Sequence, residues 1–160
     1  MTIILTRKGS ETEKLVPTPF PKERELQAYV AANPECIPME EIEEGLHLLI
    51  LGREFPTASG PIDVLAMDAT GLLYLIETKL YSNSDKRRVV AQALDYGAAL
   101  WAAGAEEVSR SLAAFLPTAE ASLQERIQET FDLSDEETQE ALERVGNNIS
   151  AGRFRFLVLM

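Results

Sequence analysis

Residues 60–80 read GPIDVLAMDATGLLYLIETKL. Two apolar runs flank Asp68-Ala-Thr-Gly71, a hairpin-type connection. In the first run Ile62, Val64 and Ala66 oppose Leu65 and Met67; in the second, Tyr74 and Ile76 oppose Leu73 and Leu75. Strands apolar on both faces are interior strands, covered on both sides. Three charges break this pattern. Asp63 opens the first run, and Glu77 and Lys79, two residues apart and therefore on one face, close the second. An antiparallel pair turning at 68–71 sets Asp63 opposite the 76–78 region, so the three groups converge at one end of the sheet.

Outward from this hairpin, HLLILGREF reads as the preceding strand and PTASGP as the turn after it. Upstream, PKERELQAYVAANPE is a helix with Pro21 in its first turn and Asn33-Pro34 as its stop. PMEEIEE is a second short helix or an acidic loop, and residues 1–20 form an N-terminal extension with an edge strand at TIILT. Downstream, Ser84 or Asp85 caps the helix KRRVVAQALDYGAALWAAG, whose Ala91, Ala93, Gly97 and Ala98 permit close approach to a sheet. Two or three helices fill 105–145, the last ended by Gly146-Asn147, and GRFRFLVLM is a closing strand. The order predicts an α/β domain over 21–160, a mixed β-sheet flanked by helices, with 105–145 as a helical insertion. A hydrophobic strand at a terminus suits an interior sheet member or a cut between domains. The chain is therefore read as a fragment of a longer protein with a further C-terminal domain.

The 160 residues, 46% of them hydrophobic, suffice for one domain with a sizeable core. The single cysteine, Cys36, excludes an internal disulfide framework and a Cys-based zinc cluster, and fits a cytoplasmic protein. The opening MTIILTRKGS is too soon polar for a signal peptide. The long, nearly uncharged stretch at 89–105 contains Gln92 and Asp95 and is Ala-rich, a buried helix rather than a membrane span. A net charge of −11 excludes a protein that simply coats nucleic acid. That charge is uneven. Residues 105–145 hold eleven acids and three bases, a balance of −8, whereas Lys79, Lys86, Arg87 and Arg88 against Glu77 and Asp85 make 77–92 net +2. Lys86-Arg87-Arg88 is a solvated helix start or a local phosphate contact.

A carboxylate buried without partners costs several kcal/mol, and two together also repel. Lys79 or a divalent cation must therefore lie between Asp63 and Glu77. Oxygen ligands with no His or Cys nearby select a hard ion, Mg²⁺ or Mn²⁺ as a substitute, with the backbone carbonyl of Thr78 available to the shell. An ammonium beside the metal suits the orientation or deprotonation of an attacking water, as in phosphodiester hydrolysis. A [DE]-x-K triplet arises by chance roughly once in a chain this long. Its value here lies in its place, inside an interior strand with an Asp in the hairpin partner.

The residues G-P-I-Asp63, Glu77-Thr-Lys79 and Gln92-Ala-Leu-Asp-Tyr96 resemble the PD-(D/E)XK nuclease superfamily, the restriction-endonuclease-like fold, in particular its NucS-like and RecB-like endonuclease domains. Glu23-Arg-Glu-Leu26 and Asn33-Pro34 match the helix that precedes the sheet there. The resemblance spans about residues 20–100, and the closing strand fits the last core element. It implies an αβββαβ core and metal-dependent endonuclease cleavage of DNA, less often RNA, in repair or defence. It places the metal acids on Asp63 and Glu77, the catalytic lysine on Lys79 and the helix glutamine on Gln92. The first-helix acid falls on Glu23, with Glu25 competing. The literal Pro-Asp is absent: Ile62 precedes Asp63, with Pro61 one place earlier. The alternative from another class is a catalytically inactive module on the same fold that binds nucleic acid or protein. A homodimer is compatible with either.

Arg88, Gln92 and Tyr96 fall one helical turn apart and share a face, read as a polar rim over the site or as a face that meets solvent. His47 reads as a strand histidine, Glu40, Glu41, Glu43 and Glu44 as a solvated face, Trp101 as core, and Glu54 as an active-site rim or surface residue.

Overall fold

The computed structural model of the chain describes residues 3–5, 13–15, 18–80, 85–116 and 122–160. Three strands and a helix form the centre of the domain: β3 (Leu49–Phe55), β4 (Ile62–Met67), β5 (Leu73–Thr78) and, before them, α1 (Glu23–Ala32). Two short strands, β1 (Ile3–Leu5) and β2 (Glu13–Leu15), pair antiparallel with each other as a separate two-stranded sheet. The strand expected at TIILT thus exists but does not edge the main sheet. After β5 come α2 (Lys86–Ala103), α3 (Ala105–Phe115), α4 (Leu123–Phe131), α5 (Asp135–Ser150) and β6 (Phe154–Leu159).

The main sheet has the order β3-β4-β5-β6. Its first two pairings are antiparallel, and β5–β6 is parallel. This is a mixed sheet in an α1-β3-β4-β5-α2-β6 sequence, the restriction-endonuclease-like α/β arrangement, with three extra helices between α2 and β6. The two interior strands are the two that the sequence marks as apolar on both faces. All six residues of β5 are buried, and in β4 only Asp63 is part-exposed. One face packs Leu65, Met67, Leu73 and Leu75 against α2–α5. The other packs Val64, Ala66, Tyr74 and Ile76 against Val30 of α1 and the chain around Met39.

Local chemistry explains the boundaries. Asp85, not Ser84, is the N-cap of α2, accepting from the backbone N–H of Arg87 at 3.1 Å and of Arg88 at 3.4 Å; Ser84 lies outside the described residues. α1 starts at Glu23 with Lys22 as N-cap, so Pro21 stands just ahead of the helix rather than in its first turn. The PMEEIEE segment is a single 3₁₀ turn at Met39–Glu41. Gly97 is buried where α2 crosses β6: a Cβ there would come within 2.6 Å of the Phe156 ring.

Three expectations are corrected. α5 runs through Gly146-Asn147 to Ser150, because Val145 and Ile149 continue its buried stripe. β3 begins at Leu49, which leaves His47 exposed ahead of it. Trp101 is 59% exposed rather than core. The buried stripe of α2 is Val89, Ala93, Tyr96, Gly97 and Leu100, and Trp101 falls outside it with Val90 and Leu94. Its indole N–H donates to the carbonyl of Ser150, and its ring lies over Gly152. No helix among the described residues is long and apolar enough to cross a membrane.

Candidate active site

The β4–β5 register pairs Val64 with Ile76, so one residue further Asp63 stands opposite Glu77, with adjacent strands about 4.8 Å apart. Oδ2 of Asp63 accepts from the backbone N–H and from the hydroxyl of Thr78, both at 2.8 Å. These bonds fix the carboxylate to the end of the neighbouring strand. Lys79 follows, its backbone N–H still held by Leu159 of β6, and its Nζ lies 3.1 Å from Oε1 of Glu77.

Glu77 is the anomaly of the domain. It is 0% exposed, and neither carboxylate oxygen has a well-formed hydrogen bond. Burial holds its pKa above the ordinary glutamate value. The charge of Asp63 adds to that, and only the Lys79 ammonium and the nearby Tyr96 hydroxyl pull the other way. For Lys79, burial pulls the pKa down, but the hydrogen bond and charge of Glu77, with those of Glu23, outweigh it and keep the group above its usual value. Lys79 is therefore an ammonium at neutral pH, a donor and a positive charge rather than a base.

Of the two acids in the first turn of α1, Glu23 is the one in contact with Lys79. Its Oε2 lies 3.3 Å from Lys79 Nζ and its Oε1 accepts from the backbone N–H of Leu80 at 3.4 Å, whereas Glu25 is exposed. On the opposite side, α2 brings Gln92 and Tyr96. Gln92 donates through its side-chain amide to the Tyr96 hydroxyl. Tyr96 itself is 2% exposed. Its expected place on a rim open to nucleic acid is thus corrected: the ring packs in the core and only the hydroxyl reaches the carboxylates. That burial raises its own pKa, with the charges of Glu77 and Asp63 adding. Lys86, Arg87 and Arg88 are exposed on the first turn of α2 and make no salt bridge among the described residues.

Asp63, Glu77, Lys79, Glu23 and the Gln92–Tyr96 pair thus gather at one end of the sheet. No group of three His, Cys, Asp or Glu side chains placed to hold a metal occurs among the described residues. The donor set at this end is two carboxylates on adjacent strands. Access is from the open end, where Asp63 and Lys79 are part-exposed. A cleft of about 740 Å³ lies elsewhere, between Phe55–Ser59 and the small residues Ala98, Ala99, Ala102 and Ala103.

One polar contact escapes sequence reading. Gln27 of α1 is 5% exposed and donates to Oε1 of Glu54 at 2.6 Å, and Glu54 has a φ of 57°. The left-handed region costs a non-glycine residue about 1–2 kcal/mol, which a hydrogen bond to a charged acceptor offsets. The one signal available was a glutamine at i+4 from Glu23, pointing the same way on the helix.

Over 63 residues the chain is 41% identical to the endonuclease NucS of Bifidobacterium animalis subsp. lactis (strain AD011). The match covers 39% of this chain and 24% of that protein, so the chain spans about a quarter of the length of the curated relative it matches. No family model matches the chain, and no solved structure does. The chain is similar to a nuclease over part of its length.

Proposed function

We propose that this domain is a divalent-metal-dependent endonuclease that hydrolyses phosphodiester bonds of nucleic acid, DNA in the first instance. The observation that carries the reading is Glu77: a wholly buried carboxylate with two unsatisfied oxygens, opposite a second carboxylate and beside an ammonium. Ionising a carboxylate buried in that state costs several kcal/mol, far more than any packing gain from its two methylenes. A hard cation is the ligand that such a pair accommodates. The similarity to an endonuclease over 63 residues supports the same reading.

The donor set fits Mg²⁺, which keeps several waters and takes one or two protein carboxylates together with substrate phosphate. Asp63 and Glu77 would hold it. In a strand the N–H and C=O of one residue point the same way, so the Thr78 carbonyl would face β4 as its N–H does and would serve as a third oxygen. The ion, when bound, would supply Lewis-acid stabilisation and a more acidic water. The protein's own groups supply the rest. Lys79 donates toward an attacking water or a phosphoryl oxygen and stabilises charge that develops there, Glu23 holds the ammonium in place, and Gln92 with the Tyr96 hydroxyl orients groups from the α2 side.

The test is cleavage of single-stranded, branched and mismatched DNA, with RNA counterparts, in Mg²⁺ and Mn²⁺. Wild type should cut at least one substrate, and Asp63→Ala and Lys79→Ala should lose about 10³-fold or more in rate with an unchanged circular-dichroism melt. Either variant cutting at the wild-type rate would refute these roles. The net charge of −11 favours the second reading, a non-catalytic binding module on the same fold. Calorimetric titration with Mn²⁺ separates the two, since a module needs no heat that depends on Asp63.

A further inference from the structure

Helix α1 touches the end of the sheet at two polar points one turn apart. Glu23 reaches Lys79 and Leu80 of the candidate site, and Gln27 reaches Glu54 of β3. The second contact has an unusual foundation. Two non-glycine residues among those described have a positive φ, Glu54 and Asp132. Asp132 ends α4, where a left-handed residue is an ordinary terminator. Glu54 lies inside a strand, immediately before Phe55, which is buried against the α2–α5 side of the sheet.

The register shows what this conformation achieves. Arg53 pairs with Val64 and Phe55 with Ile62, so Glu54 stands opposite Asp63, which stands opposite Glu77. Three carboxylates would line up across three adjacent strands. Instead Glu54 meets the amide of Gln27, on the helix that covers the Val64 and Ile76 face. The left-handed residue turns a third negative charge away from the site and gives α1 a fixed point.

α1 needs one. It has ten residues, its N-cap Lys22 makes no side-chain capping bond, and Glu23 is its first residue, the position most prone to fray. Its buried apolar contacts, centred on Val30, choose the face it packs with, but being non-directional they do not pin its first turn. A buried amide bonded to a carboxylate one turn from Glu23 does, because residues i and i+4 share a face.

We propose that the Gln27–Glu54 hydrogen bond is a latch that fixes the rotation of α1 and thereby holds Glu23 against Lys79. Gln27 and Glu54 are positioning residues: neither touches substrate or metal, and both act through Glu23. The effect on catalysis rests on the nuclease reading; the effect on the environment of Lys79 does not.

The experiment uses the full chain, metal-free, with ¹³Cε-labelled lysine, and follows the Lys79 resonance by NMR, assigned with Lys79→Arg. Gln27→Met keeps the buried volume without the donor. Glu54→Gly removes the acceptor while relieving the backbone, so a role in folding alone predicts no loss of stability and an unchanged site. Glu54→Gln keeps an acceptor oxygen and should rescue. The expected result is a displaced Lys79 resonance in Gln27→Met and Glu54→Gly, with kcat about tenfold lower and KM within about twofold. Glu54→Gln, and Glu106→Gln in the remote exposed pair with Arg110, should match wild type. A Lys79 resonance in Gln27→Met and Glu54→Gly that superimposes on wild type overturns the latch, as does a displaced resonance with unchanged kcat. A wild-type chain that cuts no nucleic acid removes the nuclease reading instead, and the resonance then decides the latch alone.

Discussion

Asp63 and Thr78 are joined twice: one carboxylate oxygen takes both the backbone N–H and the hydroxyl of the threonine at 2.8 Å. The pair crosses between the two interior strands at the point where β4 begins and β5 ends. It leaves Oδ1 of Asp63 free among the described residues, while Oδ2 is spent on orientation. A carboxylate held this way presents one lone-pair set in a fixed direction, as a ligand supported from behind does.

Thr78→Val deletes one of the two bonds and keeps the volume. It should lower stability by about 1.5 kcal/mol, the low end for a bond to a charged acceptor because Asp63 is part-exposed. It should also weaken Mn²⁺ binding about tenfold while leaving one metal per chain. Titration calorimetry reads both stoichiometry and affinity. An affinity equal to wild type would mean that the threonine serves folding alone.

The raised pKa of Glu77 makes a statement about pH. In the unfolded chain this glutamate titrates near 4.3 or so. A folded value above that means the protonated, neutral form is the one the fold prefers. The associated stability is fully present below the unfolded value and is lost as pH rises through the folded one. The raised Lys79 pKa acts only above its ordinary alkaline range and contributes no slope in this window. Metal-free protein should therefore lose stability as pH rises from the unfolded value through the folded one, and Glu77→Gln should flatten that slope. Because a metal needs the ionised form, Mn²⁺ binding below the folded pKa should release a proton, seen as a heat that varies with buffer ionisation enthalpy. A metal-free melting curve equal for wild type and Glu77→Gln across this range would contradict the assignment.

The hairpin was the most legible part of the chain, because its two strands are apolar on both faces and its three charges are therefore conspicuous. That Asp63 stands opposite the 76–78 region follows from the turn position alone, and the Val64–Ile76 pairing narrows it to Glu77. Trp101 was misread for the opposite reason: α2 carries two apolar stripes, 89/93/96/97/100 and 90/94/101, and periodicity marks both without saying which meets the sheet. The Ser-x-x-Glu spacing at 122–125 and 134–137 announces two capping boxes, and both form, so the starts of α4 and α5 were available in the sequence. Glu54 was not. A left-handed glutamate inside a strand follows from tertiary contact, and no local preference foretells it.

Gly71 tests the hairpin's packing. Its φ is 78°, and a Cβ there would collide with the carbonyl of Ala141 and lie 2.9 Å from the backbone nitrogen of Val145. α5 presses on the turn, with Asn148 donating to the Gly71 carbonyl at 3.0 Å. Gly71→Ala thus meets both a left-handed backbone and an overpacked contact with unyielding main chain. The expected cost is about 2–4 kcal/mol, or roughly 5–15 °C in Tm by differential scanning calorimetry. A loss under about 1 kcal/mol would show that α5 can move off the hairpin.

The basic turn at Lys86, Arg87 and Arg88 stands apart from the chemistry by a length that helix geometry fixes. Eight to ten residues separate it from Tyr96, or about 12–15 Å along the α2 axis. If the domain is the proposed nuclease, side chains at that distance would meet phosphates flanking the one that is cut. Replacing all three with alanine should therefore weaken nucleic-acid binding, with kcat at saturation within about twofold. It should also flatten the dependence of log K on log salt by about 2–3 for duplex DNA, slightly less for a single strand. Each of the three contributes separately only if it touches its own phosphate, so the single variants should sum to the triple. Fluorescence anisotropy at four or more salt concentrations measures the slope. A triple variant with the wild-type slope would place the substrate's path on another side of the site, over Lys22, Arg24 and Arg53 instead.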